Sequence, residues 1–241
     1  MPTLVLTAHN IADFHDHLRS INVDVPSRSE GRGTVHVETY SIVRLLGSLP
    51  FRIENFPLTL VKDECPDYLL TLNGKQVGIE HTEAISTNAA KEAALRDEGY
   101  GPDYYFARIP SLHEPRKSRK QLIEEIEANK SGPGWFGDSL EKNWAEAMAY
   151  FIGKKVVTAS KAKFRRFDQN WLLIYDNWPT FAIKHDKALA YLYPNLAPSS
   201  PWQTFNRIFI LDEKILLDLL PTGHCFYDVN HCKPPSEDAV W

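Results

Sequence analysis

Cys65-Pro66-Asp67-Tyr68-Leu69-Leu70-Thr71-Leu72-Asn73-Gly74-Lys75-Gln76-Val77-Gly78-Ile79-Glu80-His81-Thr82 carries more structural information than any other segment of the chain. Asn73-Gly74 is a strong hairpin signal, because a type I′ turn needs positive φ at both central residues. With those two residues as the loop, Leu72 faces Lys75. Counting outward from that pair, Asp67 faces Glu80. Strand alternation then puts Tyr68, Leu70, Leu72, Val77, Ile79 and His81 on one face, which reads as core. Asp67, Leu69, Thr71, Gln76, Gly78, Glu80 and Thr82 share the other face, with Gly78 expected to leave space beside the two acids.

Like charges directly opposite on neighbouring strands destabilise a sheet, their Cβ atoms being only about 4.5–5.5 Å apart. A divalent cation would relieve that repulsion and give the pair a purpose. The alternative is a solvated hairpin edge with both acids turned to water. The apolar segments that flank the hairpin favour a central strand instead. A third acid arrives from a helix expected over about Val35 to Leu46. Val35, Glu38, Ile42, Leu45 and Leu46 follow the spacing of one helical face, which sets Glu38 on the inward stripe. An unpaired carboxylate would be costly there. Two readings stand: Glu38 joins the acids, or it pairs with an arginine or simply favours the first helical turn.

Outward from the hairpin, the chain shows no repeat and no low-complexity segment. A short strand is expected at Thr3–Thr7, then a helix capped by Asn10 and running to about Ser20. Residues 26–33 read as a loop. Short strands are expected near Phe51–Ile53 and Leu58–Val61, and an alanine-rich helix at Asn88–Arg96. Further helices are expected at Ser118–Lys130 and from Ser139 to Phe167, the second open to a break at Gly153. Asn170–Tyr175 is a continuous apolar run, as a strand covered on both faces should be. A helix near Ile183–Leu192 and a strand at Phe205–Leu211 follow, and the last twenty residues read as an extended tail. This order predicts an α/β (α+β) protein with a mixed central sheet flanked by helices.

The 241 residues fit one domain with a substantial core. Lysine and arginine number 27 against 31 acids, a formal charge of −4, so a nucleic-acid partner would need a local basic surface. No apolar run approaches the about 20 residues of a membrane span, and no signal peptide is evident. Three cysteines without a framework point to a reducing cytoplasm. The oligomeric state stays open, with a homodimer allowed.

Glu38 on a helix, Pro66-Asp67 opening a strand and Glu80 in the next strand together resemble the PD-(D/E)XK nuclease superfamily. The resemblance covers residues 34–176 and leaves N-terminal and C-terminal additions to a single domain. It implies a restriction-endonuclease-like αβββαβ core and a nuclease that hydrolyses DNA or RNA with Mg²⁺ or Mn²⁺. It further implies that Asp67, Glu80 and the backbone carbonyl of His81 bind the metal, with Glu38 assisting. The sequence departs from the motif at the lysine position, where Thr82 stands. The alternative is therefore a catalytically inactive relative that binds nucleic acid or protein.

Lys155 is the first choice for a displaced lysine. It lies three residues after Ile152 and seven after Met148, close to the apolar stripe of the long helix. Lys154, Lys155, Lys161, Lys163, Arg165 and Arg166 are all assigned to that helix, with no acid between Glu146 and Asp168. Such a run is commonly a solvated face, yet it also suits a phosphate backbone. Arg116, Lys117, Arg119 and Lys120 form a shorter cluster with the same two readings. His224-Cys225 and His231-Cys232 lack zinc spacing. His81 reads as a buried, hydrogen-bonded histidine, and Asp13 with His17 as a surface pair. The glycines at 132–137 lack the lysine of a phosphate loop.

Overall fold

A computed structural model describes residues 3–106, 108–132, 134–161, 164–180 and 182–229. The Asn73-Gly74 turn anchors it. Both residues have positive φ, at 45° and 84°, so a residue with a short polar side chain and a glycine occupy the positions that require them. Strands β3 (Tyr68–Leu72) and β4 (Lys75–Ala84) leave the turn with Leu72 opposite Lys75 and Tyr68 opposite Ile79. That is the expected register.

Around this hairpin the described residues form one eight-stranded sheet in sequential order. It comprises β1 (Thr3–Ala8), β2 (Leu58–Lys62), β3, β4, β5 (Gln169–Asp176), β6 (Arg207–Asp212), β7 (Ile215–Leu220) and β8 (Gly223–Asp228). β1 to β4 are antiparallel, β4–β5 and β5–β6 are parallel, and β6 to β8 are antiparallel again. β4 is thus central, as its apolar flanks suggest.

Helices α1 (Ile11–Ser20) and α2 (Thr34–Ser48) cover one face, where Leu60, Tyr68, Leu70, Ile79, Trp171 and Phe209 are buried against Phe14, Ile42 and Leu46. Helices α5 (Ser139–Ala159) and α6 (His185–Leu196) cover the other, packing Trp144, Met148, Ile152, Leu189 and Leu192 on Leu172, Ile174, Ile208 and Ile210. β5 contributes to both cores, which explains its unbroken apolar run. α3 (Thr87–Asp97) and α4 (Arg119–Ala128) lie between β4 and α5 and enclose a small cluster of Leu95, Leu122 and Ile126. Asn10 caps α1 as expected, accepting from the Asp13 N–H, and Ser86 and Ser118 cap α3 and α4 by accepting from the N–H groups of Ala89 and Gln121.

Several expectations need correction. Residues Ile53–Asn55 form a 3-10 turn, not the end of a strand, because the Asn55 side chain accepts from the Arg52 N–H and closes the backbone locally. α5 passes through Gly153 without a break and stops at Ala159, short of Phe167. A β-branched run, Val156-Val157-Thr158, weakens its last turn. Lys161, Arg165 and Arg166 therefore follow the helix instead of riding on it, and Lys163 lies outside the described residues. Val35 is largely exposed, and the inward stripe of α2 runs through Val37, Ser41, Ile42, Leu45 and Leu46. The expected tail begins as a strand, because β7 and β8 extend the sheet as a hairpin. Residues 230–241, including His231 and Cys232, lie outside the described residues.

Candidate functional site

Asp67 and Glu80 come together at the open end of the β3–β4 hairpin, just beyond the Tyr68–Ile79 pair at which the ladder ends. Asp67 directly precedes β3 and accepts a 2.6 Å hydrogen bond through Oδ2 from the backbone N–H of His81. Glu80 projects from β4 onto the α5 face. Lys155, two turns after Met148 on α5, reaches back to the pair. Its Nζ lies 2.9 Å from Glu80 Oε2 and 3.5 Å from Asp67 Oδ2. All three side chains are mostly buried, with 19% exposure at Lys155, 12% at Glu80 and 26% at Asp67. One ammonium thus serves two carboxylates in a low-dielectric setting, where the attraction far exceeds that of an exposed pair.

Burial pushes the Asp67 carboxyl above its usual range. The Lys155 charge and the His81 N–H oppose that shift, while Glu80 and Glu38 reinforce it. The His81 ring sits on the other face, buried, with Nε2 3.1 Å from Ser41 Oγ. Burial and the nearby lysines lower its pKa to about 3, so the ring is neutral across the physiological range. It is a core histidine, as its strand position predicts. Only its backbone faces the site.

Glu38 does not complete a three-acid cluster. Lys62, at the end of β2 and paired in register with Tyr68, holds Glu38 Oε2 at 2.5 Å. Among the described residues no group of three His, Cys, Asp or Glu side chains is placed to hold a metal ion. Glu38 therefore acts on Asp67 across space, with Lys62 between strand and helix. Lys62 is the residue the sequence reading missed. No local pattern marks it, because its place at Glu38 depends on which strand lies beside α2.

The floor of the site also differs from expectation. Gly78 does not leave open space, because the Phe167 ring fills it: a Cβ on Gly78 would lie 2.5 Å from Phe167 Cδ2. The glycine permits an aromatic cover over the strand. Thr82 is half-buried in β4, and Lys155 of α5 brings its ammonium to Glu80 two residues earlier.

The two basic segments separate clearly. Lys117 pairs with Glu114 and Glu125, Arg119 with Glu98 and Lys120 with Glu124, so that segment is largely neutralised. Lys154, Lys161, Arg165 and Arg166 are exposed, and none forms an ion pair with an acid among the described residues. Lys154 Nζ lies over the rings of Tyr150 and Phe151, and the Arg165 guanidinium over Phe167. A cleft of about 770 Å³ opens at the turn end of the hairpin, lined by Phe51, Leu72, Lys75, Trp171 and Arg207. It contains none of Asp67, Glu80 or Lys155 and is a separate feature.

Among the described residues no helix is long and apolar enough to cross a membrane. No protein-family model, curated protein or solved structure matches the chain.

Proposed function

We propose that the chain is a metal-dependent nuclease of the PD-(D/E)XK type that hydrolyses phosphodiesters of DNA or RNA at Asp67, Glu80 and Lys155. The observation that carries this reading is the ammonium of Lys155 held between two carboxylates from adjacent strands. It supplies the lysine that Thr82 withholds, and so favours an active enzyme over a silent relative. The element order α2, β2, β3, β4, α5, β5 supports a restriction-endonuclease-like core, with α3 and α4 inserted.

The donor set suits Mg²⁺ or Mn²⁺. Two carboxylates that already converge on one cation are hard oxygen ligands, and the His81 carbonyl lies in the same strand. Asp67, Glu80 and that carbonyl would hold the ion, with Glu38 kept outside by Lys62. When bound, the ion supplies charge neutralisation at the scissile phosphate and a water of lowered pKa. Lys155 steadies the negative charge that develops during attack. The His81 N–H fixes the orientation of Asp67. Phe167 over Gly78 keeps water from the strand beneath. Lys154, Lys161, Arg165 and Arg166 line the approach for a phosphate backbone.

Calorimetric titration of Mn²⁺ into wild type, Asp67→Ala and Glu80→Ala tests the metal site. Saturable binding to wild type alone is expected. Equal heats for all three proteins would end this reading.

A further inference from the structure

Beyond the acids, α5 borders a second cavity. It measures about 240 Å³ and lies where β4 gives way to α3, lined by Thr87, Arg116, Tyr150, Phe151, Lys154 and Trp178 among others. Three properties stand out. Arg116 and Lys154 are both exposed, and neither forms an ion pair with an acid among the described residues. The one carboxylate in the wall, Glu114, is already held at 2.5 Å by Lys117 and accepts from the Asn88 amide. The opposite wall is aromatic: Tyr150 is 44% exposed, while Phe151 and Trp178 are buried behind it. The cavity thus combines two cations that no carboxylate holds with a flat ring, one face of which Lys154 overlies and would leave to bind a phosphate.

Its position matters as much as its lining. Phe151 precedes Lys155 by four residues, so the pocket wall and the lysine between the acids lie about one helical turn, ~5.4 Å, apart along α5. At about 240 Å³ the cavity falls below the roughly 300–1,000 Å³ of pockets that take whole drug-sized ligands. One phosphate and one base fit that scale; a duplex does not.

We propose that this pocket binds a nucleoside monophosphate unit, with the phosphate on Arg116 and Lys154 and the base against Tyr150. An arginine and a lysine suit a doubly charged terminal phosphate better than the single charge of an internal diester. An exposed aromatic ring accepts any base by stacking. The pocket therefore selects a phosphorylated strand end and sets it beside the carboxylates. This inference rests on the nuclease reading for its polymer, while the preference for phosphate is separable from cleavage.

The test uses the full chain carrying Glu80→Ala, so that substrate survives. Fluorescence anisotropy compares short single-stranded DNA and RNA bearing a 5′-phosphate, a 3′-phosphate or hydroxyl at both ends. Free AMP and CMP serve as competitors. Charged hydrogen bonds of this kind predict that one phosphorylated end binds at least about tenfold tighter than hydroxyl ends. Arg116→Ala and Lys154→Ala should each erase most of that preference, and Tyr150→Ala should weaken both competitors. Melting curves confirm that these exposed positions leave the fold intact. Equal affinity for phosphate and hydroxyl ends, with cleavage by wild type intact, overturns the pocket and leaves the nuclease reading standing. Variant-sensitive binding of AMP without binding of any oligonucleotide supports the pocket for free nucleotides and ends the nuclease reading.

Discussion

Helix α5 contributes to two acidic regions, and they handle charge in opposite ways. At its C-terminal half Lys155 reaches Asp67 and Glu80. At its N-terminal half the Trp144 indole N–H donates to Asp176, at the end of β5. Asp176 is half-buried, accepts a second bond from the Trp178 N–H, and has Asp212 as a neighbour. Burial pushes its pKa up to about 7, against the pull of both hydrogen bonds. Asp212 escapes the same fate because His185 Nε2 lies 3.1 Å away and lowers its pKa. Of the two regions, only the first meets its carboxylates with a full cation. The second meets its half-buried acid with two neutral donors, the Trp144 indole and the Trp178 backbone N–H. A site with its own cation is suited to exchange charge with a ligand, whereas an acid held by the Trp144 indole and the Trp178 backbone serves packing.

Breaking that contrast should have its largest effect at Lys155. Lys155→Met, tested in a cleavage assay, should lower the rate by at least about 100-fold, the loss expected when one donor to a developing charge is removed. Trp144→Phe on the same helix should leave cleavage nearly intact and cost about 1–3 kcal/mol of stability in urea melts, through a lost indole and hydrogen bond. Similar losses of activity in both variants would show that the regions do not differ in kind.

The floor of the first region offers the next effect. Gly78→Ala forces a methyl into the Phe167 ring. Overpacking of this kind should destabilise by about 1–3 kcal/mol, read from the denaturation midpoint. No change would mean that Phe167 is not seated there.

The register of the hairpin was legible because Asn73-Gly74 favours one turn type, and counting along it put Asp67 and Glu80 close enough to share one cation. Lys155 was legible for a similar reason: its spacing from Met148 and Ile152, both fully buried, fixes its side of α5. Glu38 was only half legible. Its helix was clear, but its partner Lys62 depends on which strand lies beside α2, a tertiary fact. The β6–β7 hairpin stayed hidden because its two-residue loop, Glu213-Lys214, has no glycine or asparagine to announce it. Asp218 also interrupts the apolar pattern of β7, and only the fold shows that it is buried against Arg207. The occupant of the space over Gly78 comes from 89 residues further on, beyond the reach of local pattern.

Acidity gives a finer test of the second region. The Asp176 carboxyl is raised in the folded state, so its contribution to stability is full below about pH 4 and is lost as pH rises through about 7. His81, lowered to about 3, contributes in the opposite sense, above its unfolded value and less as pH falls. Asp176→Asn should therefore gain on wild type in melting temperature between about pH 4 and pH 7. A constant difference across that window would contradict a raised pKa at Asp176.

The smallest expected effect lies in the basic approach. Lys161→Ala or Arg165→Ala should reduce the slope of log affinity for nucleic acid against log salt by roughly 1 each. The same change at Lys120, paired with Glu124, should move it less.

The most direct measurement is cleavage. Purified wild type and Glu80→Ala are incubated with single- and double-stranded DNA and RNA, with and without Mn²⁺, and the products are resolved on a denaturing gel. Wild type should cut at least one of these substrates, only with the metal, and Glu80→Ala should leave it whole. Intact substrates in every wild-type lane, with the protein folded and Mn²⁺ present, would contradict the nuclease account of Asp67, Glu80 and Lys155.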